Sequence, residues 1–341
     1  MKFLLFTISL LFISFGLGVN KNSLVEIFPA HFPEPTYDFE KNPLNQETIT
    51  LGRTLFYDPL LSKDNSISCA SCHSPYNAFA HTDHELSHGI NDQTGTRNAP
   101  GLFNLAWQSS FMWDGAVNHL DVQALAPLTS QSEMGEDLIS VINKLQNSPI
   151  YPELFTKAFK DSMVTGEHLL KALSQFQLTL ISANSKYDKV LREEETYTPQ
   201  ELNGKRLFEK NCNTCHVQPT FSNHEFKRNG LELDFTLNDY GKFNHTKLAK
   251  DSFLFKVPSL RNLSYTFPYM HDGRFSTIRE VINHYTDGLN DKTSSSQELK
   301  EPIRLTSDEK TDLVAFLLTL NDEEFVFNKK HHYPLEILRI N

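Results

Sequence analysis

The strongest constraint on this chain is a short motif that occurs twice. Cys69-Ala70-Ser71-Cys72-His73 and Cys212-Asn213-Thr214-Cys215-His216 share the form Cys-x-x-Cys-His, and together they use all four cysteines of the 341 residues. Two disulfides, a redox dithiol or half of a zinc site would each account for a Cys-x-x-Cys pair, but none accounts for a histidine directly after both pairs. Cys-x-x-Cys-His is the attachment signature of c-type haem: two thioethers fix the porphyrin edge, and the adjacent imidazole reaches the iron from the proximal side. The chain is therefore expected to carry two covalently bound haem c groups, on Cys69, Cys72, Cys212 and Cys215, with His73 and His216 as proximal iron ligands.

The lead-in to each motif repeats as well. Gly52-Arg53-Thr54-Leu55-Phe56 precedes the first and Gly204-Lys205-Arg206-Leu207-Phe208 the second. The interval from that glycine to the first cysteine is longer in the first copy, which implies an inserted loop there. Helical signals flank both units. Leu138, Val141, Ile142 and Leu145 form one stripe at helical spacing, and Leu169, Leu173, Phe176 and Leu180 form another. Thr198-Pro199-Gln200-Glu201 reads as a capping box with proline at the first helical position. Thr306 with Glu309 opens a last helix bearing Leu313, Phe316, Leu317 and Leu320. Strand signal is scarce, so the expected fold class is all-α. Residues 74–135 and 217–275 are polar and long for plain connectors, as loops that must wrap two porphyrins would be. Ser294 to Ser296 reads as a loop tip at the surface.

The chain starts MKFLLFTISLLFISFGLGVN, in which Lys2 precedes an apolar run from Leu4 to Leu17 and Gly16-x-Gly18 supplies small residues near a cut. That is the layout of a secretory signal over residues 1–19, with an N-terminal anchor as the alternative. No cysteine follows the run, which excludes a lipidated cysteine. Two domains are expected after it, at 20–192 and 193–341, divided near the charged run Arg192-Glu193-Glu194-Glu195. The formal charge of −10 argues against a nucleic-acid partner, because phosphate binding wants a basic face. An exported, periplasmic protein is expected.

The residues LGRTLFYDPLLS…SCASCH, TRNAP, FMWDG, EMG, CNTCH, VPSLRN and PYMHDGRFSTIREV, in that order, resemble the bacterial di-haem cytochrome c peroxidase family from about Leu51 to Leu320. The resemblance implies two cytochrome c-like helical domains, with a peroxidatic haem in the first, an electron-transfer haem in the second, and a calcium site and a tryptophan between them. Carried onto this sequence, it makes Gln123, Pro127 and Glu133 the residues over the first haem where peroxide is cleaved. It makes Trp113 the tryptophan between the haems, and Asn98, Thr266 and Pro268 the calcium positions, the last through its carbonyl. Splitting a peroxide O–O bond needs a group that moves a proton between the two oxygens, and a carboxylate such as Glu133 can do that. The implied partners are hydrogen peroxide and a small electron-donor cytochrome or cupredoxin, and a homodimer is compatible with the resemblance.

Two positions depart from the family pattern. Where many members place a methionine ligand to the second iron, this sequence has Tyr285, on a helix whose Ile278, Val281, Ile282 and Tyr285 share one face while His284 points elsewhere. Tyrosine ligation resembles a sister branch, the di-haem enzyme that matures methylamine dehydrogenase; Met270 is the alternative ligand. Ser87-His88-Gly89 resembles a site where some members hold a histidine that blocks the first iron, though its interval to Arg97-Asn98 is one residue longer. His81 and His84 lie close by in sequence. Three functions follow: peroxide reduction with electrons from a cytochrome c-type donor, peroxide-driven oxidation of a protein or small molecule, and non-enzymatic di-haem electron transfer.

Overall fold

The computed structural model describes residues 28–289, 295–300 and 303–338; the expected secretory signal lies outside them. Along the chain run α1 (Gln46–Tyr57), α2 (Cys69–Cys72), α3 (Leu120–Gln123), α4 (Leu125–Thr129), α5 (Leu138–Gln146), α6 (Tyr151–Phe159), α7 (Gly166–Leu178), α8 (Lys186–Leu191) and α9 (Pro199–Asn211). They are followed by β1 (Phe226–Lys227), α10 (Phe243–Thr246), β2 (Phe255–Lys256), α11 (Ile278–Asp287), α12 (Ser307–Leu318) and α13 (Glu323–Val326). The expectation of an all-α fold therefore needs a correction. Both cores are helical, but β1 and β2 pair as a short antiparallel ribbon, and long irregular loops separate the helices.

The helices start where side chains satisfy the free N–H groups of a first turn. Thr198 and Glu201 cap each other's backbone at α9, as do Thr277 and Glu280 at α11 and Thr306 and Glu309 at α12. Asn45, Asp137 and Thr165 cap α1, α5 and α7 through single side-chain bonds.

The apolar stripes bury into two principal cores. The first gathers Leu51, Leu55 and Phe56 of α1, Val141 and Leu145 of α5, Phe155 of α6 and Leu169, Leu173 and Phe176 of α7. The second gathers Phe208 of α9, Phe221, Ile282 of α11 and Leu313, Phe316 and Leu317 of α12. Each core is centred on a helix that leads into a Cys-x-x-Cys-His motif, packed on a later helix.

The chain ends tie the halves together. Phe325 and Val326 of α13, sequence-distant from the first core, are buried in it. Tyr57 Oη donates to the His331 carbonyl at 2.7 Å, and Arg53 Nε donates to the His332 carbonyl at 2.7 Å. Arg261, fully buried, makes two 2.7 Å bonds to Asp188, which also meets His31 Nε2 at 2.8 Å. Ser295, expected at a loop tip, is instead buried and bridged to Asn229.

Candidate di-haem site

The two motifs adopt one backbone geometry. His73 N–H donates to the Cys69 carbonyl at 2.9 Å, and His216 N–H donates to the Cys212 carbonyl at 2.9 Å. A single turn thus brings both cysteines and the histidine to one side. All four cysteines are unpaired, so the disulfide alternative fails. Burial, then the neighbouring Cys72, pushes the Cys69 thiol up to about 12, and burial with Cys215 does the same at Cys212. A reactive redox Cys-x-x-Cys sits where neighbouring groups lower its thiol pKa, and burial here acts in the other direction.

Each histidine is oriented by a carbonyl. His73 Nδ1 lies 2.7 Å from the Phe79 carbonyl; His216 Nδ1 lies 3.2 Å from the Phe221 carbonyl and 3.1 Å from that of Pro258. A carbonyl only accepts, so Nδ1 carries the proton and Nε2 keeps its lone pair, the arrangement a metal-bound imidazole requires. Burial pushes both imidazoles down to about 4, so both are neutral and ready to ligate. The donor sets fit covalent haem at both places: two free thiols one turn apart and a neutral, oriented imidazole.

Phe79 and Phe221 were not singled out by sequence reasoning. Both are buried, and both take positive φ, 60° and 56°, an unusual conformation for a bulky side chain. That twist turns their carbonyls onto the histidines. The sequence carries only a loose signal for them: a proline and then a phenylalanine follow each histidine, at different spacings, Pro75 and Phe79 after His73 and Pro219 and Phe221 after His216.

Glu133 lies beside the first motif, close enough for its carboxylate to disfavour ionisation of Cys69 and Cys72. Burial raises its pKa, with the Ser130 hydroxyl opposing. Its loop folds back on α4, with Met134 N–H donating to the Pro127 carbonyl at 3.2 Å. Gln123 ends α3, and its Nε2 meets Met112 Sδ at 3.6 Å. Trp113, the next residue, donates its indole N–H to the Asn98 carbonyl at 2.9 Å. The structure therefore joins Gln123, Met112, Trp113 and Asn98 in one chain of contacts, while among the described residues Gln123 and Glu133 share no hydrogen bond.

Of the calcium candidates, Asn98 is buried; its N–H donates to the His271 carbonyl at 2.8 Å, three residues past Pro268. Thr266 bonds back to the Asn262 carbonyl at 3.3 Å. Among the described residues no group of three or more His, Cys, Asp or Glu side chains is placed to hold a metal ion. His88 Nδ1 pairs with Asp92 at 2.6 Å, its ring packs against His84, and its carbonyl faces Cys72 Sγ.

Tyr285 is half-buried on α11. Burial, then the Cys212 and Cys215 thiols, raises its phenol pKa, which puts the ring beside the second motif. Among the described residues its hydroxyl has no hydrogen-bond partner. His284 does turn elsewhere, onto the Asn229 carbonyl at 2.8 Å, but is itself buried. Met270 Sδ lies 3.9 Å from Asn229 Nδ2.

The model of the di-haem cytochrome c peroxidase family matches residues 46–196, and that of cytochrome c matches residues 202–321. The methylamine utilization protein MauG of Methylorubrum extorquens is 35% identical over 305 residues, covering 86% of this chain and 83% of its own. The chain belongs to the di-haem cytochrome c peroxidase family. The cytochrome c551 peroxidase of Nitrosomonas europaea is 32% identical over 287 residues, covering 83% of this chain and 82% of its own. The crystal structure of a MauG-like protein associated with microbial copper homeostasis superposes with a TM-score of 0.80 at 30% identity, over 90% of this chain and 98% of that one. The family's named members are oxidoreductases that include peroxidases, and membership implies two haem c groups, which the two donor sets fit. Among the described residues no helix is long and apolar enough to cross a membrane.

Proposed function

We propose that this protein reduces hydrogen peroxide to water in the periplasm, with electrons from a small cytochrome or cupredoxin. The observation that carries this reading is Glu133, a carboxyl of raised pKa beside the cysteines of the first motif. An electron carrier has no use for such a group. Haem c held by Cys69, Cys72 and His73 would supply, when bound, the redox-active iron that reduction of peroxide requires. Around it, Glu133 takes a proton from one peroxide oxygen and returns it to the other, so that the leaving oxygen departs as water rather than hydroxide. The Gln123 amide orients the peroxide by hydrogen bond. Overall, one peroxide, two electrons and two protons yield two waters.

In this reading Trp113 would lie between the two haems, and Cys212, Cys215, His216 and Tyr285 would hold the second. The Asn98 side chain, the Thr266 hydroxyl and the Pro268 carbonyl are hard oxygen donors of the kind calcium takes. With Asp92 on Nδ1, His88 keeps Nε2, the nitrogen a resting ligand to the first iron would use.

A second reading has one observation in its favour. Tyr285 beside Cys212 and Cys215 is a hard anionic donor when ionised, which favours oxidised iron. Peroxide would then drive oxidation of a protein or small molecule, a role nearer to that of the MauG relatives. The deciding experiment is steady-state peroxide consumption by the purified di-haem protein with reduced cytochrome c. Two cytochromes oxidised per peroxide supports the first reading; peroxide consumed only with another oxidisable substrate supports the second.

A further inference from the structure

Lys256 is a cation that none of the chemistry above uses. It sits in β2, and its Nζ donates to Gln108 Oε1 at 2.6 Å and to the Ser110 carbonyl at 2.7 Å, with the Phe111 ring 5.7 Å away. Its backbone N–H donates to the Trp113 carbonyl at 2.7 Å. One residue of the second half thus holds Gln108, Ser110 and Trp113, three points on the turn of the first half that carries the tryptophan.

The same short segment reaches the second motif. Two residues on, the Pro258 carbonyl accepts from His216 Nδ1 at 3.1 Å. Between them, the Val257 carbonyl accepts from Ser222 Oγ at 2.6 Å and the Val257 N–H donates to Glu225 at 2.9 Å, so the segment is anchored at each residue. From the other side, Phe226 of β1 packs under Gly115 so closely that a Cβ there would overlap its ring. Gly115 has φ 72°, and the turn has little freedom to shift without moving the ribbon.

We propose that Lys256 is a positioning residue: its side chain clamps the Ser110–Trp113 turn onto the Lys256–Pro258 segment, and so fixes Trp113 relative to the proximal histidine of the second haem. The inference rests on the proposed place of Trp113 between the haems. A half-buried lysine is a costly choice for such a clamp. Burial pushes the Lys256 ammonium down to about 7, with Asp114 opposing, and Asp114 is itself paired with Arg97 at 2.8 Å. A neutral, apolar side chain would be cheaper at this place if filling space were the requirement. What the ammonium adds is direction: three donors on a long stem reach two acceptors on a turn whose one further hydrogen bond with β2, among the described residues, is the one to the Trp113 carbonyl.

Two variants test the clamp in the holo-protein: Lys256→Met, which keeps the length and removes the donors, and Gln108→Leu, which removes one acceptor. Haem content and the spectra of both haems verify folding. Electron equilibration between the two haems after flash photoreduction should slow by about ten- to a hundredfold in Lys256→Met, the scale expected when a reacting group is misplaced by an ångström, and by less in Gln108→Leu. Amide exchange at residue 256 should quicken in both, because its N–H loses a fixed acceptor. Wild-type exchange rates at 256 in both folded variants would overturn the proposal. Faster exchange with unchanged equilibration would overturn its link to electron transfer. Neither readout uses peroxide turnover, so a wild-type protein that consumes no peroxide would remove the proposed function and still leave the clamp decided.

Discussion

Gly204 of α9 lies against Asp312 of α12 so closely that a Cβ would overlap the Asp312 carbonyl oxygen, and Gly52 of α1 stands in the same relation to Ala172 of α7. The repeated Gly-basic-x-Leu-Phe lead-in is therefore a helix-crossing device used once per core. The obstacle in each case is backbone, which cannot swing aside as a side-chain end can.

Gly204→Ala should accordingly loosen the second core, and Gly52→Ala the first. Overpacking of this kind costs about 1–3 kcal/mol, and on the order of 2–4 °C of melting temperature per kcal/mol is expected for domains of this size. Calorimetry of the holo-protein checks it. Each variant should lower the transition of its own core more than that of the other.

The helix pairs, the haem motifs and the caps were legible because they are local patterns: a period of 3.6, a five-residue motif, a threonine three before a glutamate. The face that Tyr285 takes on α11 was legible from the stripe, while the burial of His284 beside it was not. Other features join residues far apart, and no local pattern announces them. Phe325 and Val326 lie beyond the last expected helical stripe, yet they fill the first core. Arg261 reads as one basic residue in a loop, yet it is fully buried against Asp188 of α8. The ribbon was missed for a related reason: two residues per strand are too few to show a period of two. The carbonyls of Phe79 and Phe221 were hidden for another reason: the two phenylalanines stand at different distances from their histidines, so no repeated spacing marks them.

Asp188 gives the protein an acid limit. Burial alone would raise its pKa, but two bonds from Arg261, and others from Ser185 and His31, hold it down to about 2. Its folded pKa lies below the unfolded value of about 3.9. The stability it contributes is therefore present above about pH 4 and is lost as pH falls toward 2, an effect on the order of 2–3 kcal/mol. Asp188→Asn leaves Arg261 buried without its counter-charge, which typically costs about 3–5 kcal/mol. Denaturant titrations at several pH values should show the variant less stable at pH 7 and with a shallower loss between pH 4 and 2.

On the proposed reading, Tyr285 would set the second haem apart. Were Tyr285 to bind that haem's iron as a phenolate, the haem would sit at low potential, and Tyr285→Phe should raise its midpoint by on the order of 100 mV, given how widely axial ligands move haem potentials. Redox titration followed at each haem's own bands checks this, and the first haem should be little changed. A midpoint that moves with Met270→Leu and not with Tyr285→Phe makes Met270 the ligand.

Peroxide cleavage by Glu133 beside the first motif is the centre of the account, and the pH dependence of peroxide turnover in wild type and Glu133→Gln tests it most directly. Burial raises the Glu133 pKa, and the carboxyl must be ionised to take the first proton. Wild-type turnover should therefore fall as pH drops through that raised value. Glu133→Gln should be slower by about 10²–10⁴-fold, the usual worth of a positioned proton carrier, and should lack the acid limb. Undiminished turnover in Glu133→Gln, with both haems in place and the same acid limb, would contradict the account.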